Sequence, residues 1–154
     1  MLRTVSFEIE SGNVLAVTPY VDGASLAALV EAYEQAKGYD PAGGYGGLIP
    51  AYFNYGPLDE YFTGKDKSDY WVNLKGIYLL GCACGEVGCW PLIASVYQKD
   101  DTIRWDGFVQ PHRRERDYSE FGPFTFSRAQ YEDAVQDLLI RLNSADQFTD
   151  VTGQ

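Results

Sequence analysis

Leu80-Gly81-Cys82-Ala83-Cys84-Gly85-Glu86-Val87-Gly88-Cys89-Trp90-Pro91 holds every cysteine of this 154-residue chain. Ile77–Cys84 before it and Cys89–Tyr97 after it are apolar runs of strand length, with glycine between them. That is the pattern of an antiparallel hairpin. With Gly85–Gly88 as a four-residue turn, Cys84 falls opposite Cys89. Strand side chains alternate, so Cys82 joins them on one face. Ile77, Leu79, Trp90, Leu92 and Val96 then form the core face.

Lys99-Asp100-Asp101 reads as the next turn, leading into Ile103–Val109. If Lys99 pairs with Thr102, Trp105 lies beside Val96 and Val109 beside Leu92. Continued three residues, this register sets His112, the only histidine, opposite Cys89. A slip of one residue would send it to the other face. The meander is expected over 70–110.

Further out, Val5, Phe7 and Ile9 alternate with Ser6, Glu8 and Glu10, the mark of a strand with one wet face. Ser11-Gly12-Asn13 reads as a turn, giving an N-terminal hairpin over 2–18. Ser25 caps a helix running to Gly38, with Leu26, Leu29, Val30 and Tyr33 as its apolar stripe. Ser127-Arg128-Ala129-Gln130 has the form of a capping box. Tyr131, Ala134, Val135, Leu138, Leu139 and Leu142 follow at helical spacing, giving a helix over 128–142 and a loose tail beyond Asn143. Without repeat or linker, 1–154 reads as a single α+β domain. Its antiparallel meander sheet carries two principal helices packed on one face.

Residues 39–64 differ in kind. Glycine and proline interrupt Tyr39, Tyr45, Tyr52, Tyr55 and Tyr61. Long irregular loops in small domains are often functional, and Tyr/Gly mixtures suit binding surfaces. Tyr45, Tyr52, Tyr55 and Tyr61 are therefore candidate partner-binding residues. Equally, tyrosines pack well and could fold back over the sheet.

Twelve Lys and Arg against 22 Asp and Glu leave a formal charge of −10. That disfavours a nucleic-acid partner, because phosphate contacts need a basic face, and it suits a basic protein. The first twenty residues contain Glu8 and Glu10 and lack the apolar core of a signal peptide. No stretch approaches the roughly 20 apolar residues of a membrane helix. Three closely spaced cysteines do not form a secreted disulfide framework. The expected compartment is the cytoplasm, with reduced thiols.

Three readings of function stand open. The first is a non-enzymatic acidic protein-binding module using the tyrosine loop. The second is a zinc-stabilised domain, since Cys82, Cys84, Cys89 and His112 make a complete tetrahedral set. Their Cys-x-Cys-x4-Cys spacing departs from the usual Cys-x2-Cys pair, and buried cysteines often only pack. The third is a cysteine-dependent enzyme, with Cys89 as nucleophile and His112 as base; the chain shows no other motif that supports it. His112-Arg113-Arg114-Glu115-Arg116 could hold an anion, or pair with Asp117 and Glu120.

The stretch from Leu79 to Leu92 resembles the signature of a family of small uncharacterised bacterial proteins marked by a Gly-Cys-x-Cys-Gly-x-x-Gly-Cys-Trp-Pro hairpin. Trp105-x-x-Phe108 and the Gly122-Pro123-Phe124-x-Phe126 run extend the resemblance over about residues 76–142. No activity is established for that family. The resemblance therefore implies no catalytic residue, only that the cysteine hairpin is a family trait.

Overall fold

Alternation sets the first element. Val5 and Phe7 are buried while Glu8 and Glu10 are not, and β1 (Val5–Glu10) pairs antiparallel with β2 (Ala16–Val21). This computed structural model describes residues 2–11, 14–52, 55, 57–63 and 76–152, with side chains as far as residue 144. The turn expected at Ser11-Gly12-Asn13 and the start of the meander at 70–75 lie partly or wholly outside them. Asp22 and Gly23 both take positive φ, 52° and 84°, the requirement of a two-residue hairpin turn. That turn leads into β3 (Ala24–Ser25), which closes a three-stranded sheet β1-β2-β3.

The Ser25 hydroxyl accepts the Ala28 amide at 3.1 Å, and α1 (Leu26–Lys37) ends at a left-handed Gly38. Leu26 and Val30 are fully buried, as the stripe requires. The loop that follows is less irregular than its composition suggests. It contributes β4 (Tyr45–Gly46) and a short helix α2 (Leu58–Phe62).

A five-stranded antiparallel sheet runs β4-β5-β6-β7-β8, with β5 at Ile77–Cys82, β6 at Leu92–Lys99, β7 at Thr102–Val109 and β8 at Phe124–Ser127. Backbone bridges Val17–Leu48 and Arg3–Phe126 join the two sheets. Leu79, Leu80, Leu92, Ile103, Trp105 and Phe126 are almost wholly buried. β5 buries both its faces, so it shows no alternation.

The expected pairings Lys99–Thr102 and Val96–Trp105 are observed; Leu92–Val109 is not. Three steps along β7, from Asp106 to Val109, oppose two along β6, from Ser95 to Ile93. This is a bulge, and Gly107 carries it with φ +64°. The register beyond it slips by one, and Val109 faces Ile93.

The final helix α3 spans Arg128–Thr152, about ten residues beyond the expected end, so the expected loose tail is helical. Ser127 accepts the Gln130 amide at 3.2 Å. The Gln130 side chain does not complete a capping box. It bonds both backbone groups of Val5, accepting from N and donating to O, and so ties α3 to β1. Tyr131, Val135 and Leu138 are buried against β1, β7, β8 and α2. Tyr131 accepts the indole N–H of Trp105 at 3.0 Å and donates to the Phe62 carbonyl at 2.6 Å. No helix among the described residues is long and apolar enough to cross a membrane.

Candidate functional site

The link between β5 and β6 is longer than a four-residue turn, because strand pairing stops at Leu80–Leu92. Two consecutive tight turns build it. The Gly85 amide donates to Cys82 O at 2.9 Å, and the Cys89 amide donates to Glu86 O at 3.2 Å. The thiols therefore converge through folded turns rather than through strand alternation. The Sγ atoms of Cys82, Cys84 and Cys89 all lie within 4.8 Å of one another. All three are free; Cys82 is half-buried, Cys84 and Cys89 exposed. A cysteine used only for packing is ordinarily buried. These are not.

Backbone amides point at the sulfurs. The Cys84 N–H donates to Cys82 Sγ at 3.3 Å. Cys84 lies below the usual thiol range, first through its hydrogen bond with Cys82 and next through the Glu86 backbone N–H. Cys89 is pushed up to about 11 by hydrogen bonding to Cys82 and Cys84. The cluster thus has an acceptor end at Cys84 and a donor end at Cys89. Cys84 also opens onto a surface cleft of about 660 Å³ lined by Ile49, Tyr52, Tyr55, Glu86 and Val87.

His112 does not join the thiols. Among the described residues the group consists of the three sulfurs alone. After the bulge in β7 the chain turns away at Pro111, and the His112 amide donates to the buried Gln110 Oε1 at 3.0 Å. The ring Nε2 lies 2.8 Å from Gly88 O. A carbonyl only accepts, so Nε2 carries the proton. The imidazole lies parallel to the Trp90 indole, at 6° and 6.4 Å between centroids.

The tyrosines divide. Tyr45, Tyr55 and Tyr61 are buried, and Tyr52, 60% exposed, is the one that keeps a surface. The burial has a polar cause. Tyr61 donates to Tyr78 O at 2.7 Å, and Tyr45 donates to Glu34 Oε2 at 2.7 Å, so each phenol finds an acceptor inside the fold.

Glu34 is the centre that the sequence reading missed. It is fully buried and bonds Arg116 Nη1 at 3.1 Å, the Gly43 amide at 2.8 Å, and the hydroxyls of Tyr45 and Tyr118. Its only sequence signal is position: Glu34 is four residues beyond Val30 on the Leu26–Val30 line. Arg116 belongs to the basic run expected to bind an anion or local acids, yet it serves this network, while Glu120 pairs with Lys37 at 2.8 Å. Burial, then hydrogen bonding to Glu34, raises the Tyr118 phenol to about 12; burial raises Tyr45 as well.

The network frames the cysteine tip. Gln110 Nε2 bonds both Tyr45 OH and Pro91 O. Trp90 donates to Gly43 O at 2.9 Å, and the Ala83 amide donates to Gly44 O at 2.9 Å. A Cβ on Gly46 would come within 3.1 Å of Cys82 O, so the loop lies directly on the backbone that carries the thiols. The result is an α+β fold with a surface cluster of three free thiols, hydrogen-bonded through its backbone and Trp90 to the neighbouring loop. No family model, curated protein or solved structure matches the chain.

Proposed function

We propose that this domain binds a thiophilic metal ion through Cys82, Cys84 and Cys89. The observation that carries this reading is three free sulfurs within 4.8 Å at an exposed tip. Thiols this exposed add little to packing, and soft thiolate donors select zinc, monovalent copper and related ions. The amides aimed at sulfur support it, because hydrogen bonds to ligating sulfur favour the deprotonated form. Zinc would take three sulfurs at about 2.3 Å and need a fourth ligand, from solvent or from Nδ1 of His112 after a shift of the ring. A protein-binding role for the loop retains Tyr52 as its one exposed candidate tyrosine.

The test is titration of the reduced full chain with cobalt(II) under nitrogen. One equivalent should develop a thiolate-to-cobalt charge-transfer band, lost in Cys82→Ser, Cys84→Ser and Cys89→Ser alike. Failure of cobalt(II) and of copper(I) alike to bind, or survival of the band in all three variants, would refute the reading. The thiols lie at an exposed tip and are not among the buried core residues, so the metal-free protein should keep its near-UV circular dichroism. That separates this site from a zinc finger, which unfolds without metal.

A further inference from the structure

We infer that the site is three-coordinate and all-sulfur, and so suited to a soft ion content with three thiolates, of which monovalent copper is the type case. This rests on the metal-binding reading above and narrows it to a class of ion. Structural zinc closes four positions, three of which the cluster supplies. The histidine on the cysteine tip's flank is His112, and three contacts position it outside the sulfur group. The ring is not among the ligand atoms that lie within 4.8 Å of one another at the tip; Nε2 donates to Gly88 O, and the ring lies against Trp90. Its backbone amide is anchored on Gln110.

The surface on which His112 rests is itself fixed. Trp90 is tied to Gly43 O, and the Arg113 guanidinium sits 5.1 Å from the indole centroid. Bringing Nδ1, the unprotonated ring nitrogen, into the sulfur group would require the ring to shift from its place against the indole. Among the described residues no carboxylate belongs to the sulfur group either. Three thiolates about an ion at ~2.3 Å stand ~4.0 Å apart in a trigonal plane. Sulfurs already within 4.8 Å need to close by less than about 1 Å.

The binding step is balanced without oxidation or reduction. One Cu⁺ and three thiols give a tris-thiolate complex, and three protons pass to solvent. Copper stays monovalent throughout. Arg113, beside the tip, partly offsets the negative charge left on the complex.

The experiment uses the full chain, reduced and under nitrogen. Copper(I) is supplied as its acetonitrile complex, and zinc is titrated in parallel. Each is set against a chromogenic chelator, for the native protein and for His112→Ala. The expected result is one copper per chain, with X-ray absorption showing three sulfur neighbours and no nitrogen. His112→Ala should leave both affinities within about twofold, and Cys89→Ser should lower the copper affinity at least a hundredfold. A nitrogen in the copper shell, or a tenfold or larger loss of zinc affinity in His112→Ala, would overturn the inference and define a Cys3His zinc site. That result would leave the metal-binding reading intact. If neither ion binds, the metal-binding reading itself fails.

Discussion

The loop over 39–63 and the cysteine tip over 82–91 carry the two unusual compositions of this chain, and they fold in opposite senses. Tyrosine, which commonly serves at surfaces, goes inside: Tyr61 is fully buried and Tyr45 nearly so. Cysteine, which is commonly buried, goes outside: Cys84 and Cys89 are exposed. The difference teaches that residue type alone does not place a side chain. A phenol enters the core where a carbonyl or carboxylate waits for its proton, as Tyr78 O and Glu34 do. A thiol needs no such partner and can be left at a tip for its chemistry.

The largest way to break this contrast is Glu34→Ala. It leaves Arg116 buried without its carboxylate and removes the acceptor of two tyrosines. A loss of about 3–5 kcal/mol is expected in urea unfolding, as for breaking one side of a buried ion pair. A loss under about 1 kcal/mol would mean that the network does not hold the loop inside.

Tyr61→Ala should cost about 3–5 kcal/mol, the range for truncating a buried aromatic. Tyr52→Ala, which removes an exposed ring, should stay within about 0.5 kcal/mol. Equal losses for the two would remove the distinction between the buried and exposed parts of the loop.

A pH dependence sharpens the same point. The Tyr118 phenol is raised to about 12 in the folded state, and an unfolded tyrosine titrates near about 10. Above pH ~10 the unfolded chain gives up its proton first. The stabilisation is therefore complete below pH ~10 and declines as pH rises towards ~12. Unfolding measured across that window should show falling stability, with a shallower fall in Tyr118→Phe.

Smallest is the effect expected at the tip. Cys84→Ser, at an exposed position of the metal-free protein, should change stability by less than about 0.5 kcal/mol. A loss of several kcal/mol would make the thiols part of the fold rather than a site mounted on it.

Much of this architecture is local and can be read from neighbouring residues. The Ser25 cap and the apolar stripes of α1 and α3 repeat within a turn or two. The pairing of Lys99 with Thr102 follows from a short turn. The three cysteines are close in sequence, so their proximity is legible there, although two tight turns and not strand alternation produce it. α3 runs past the span its apolar stripe predicts, because its polar end shows no stripe beyond Leu142.

What only the tertiary structure decided involves longer reach. A single extra residue at Gly107 shifts the register before it arrives at His112, and the ring lands on Gly88 and Trp90 instead of the sulfurs. Glu34 finds Arg116 across 82 residues. The direction in which each tyrosine turns depends on where that carboxylate and the Tyr78 carbonyl end up. Alternation, caps and turns act over a few bonds, and sequence determines them by itself. Register past a bulge and the pairing of buried charge depend on the summed packing of the whole chain, so no short stretch contains them.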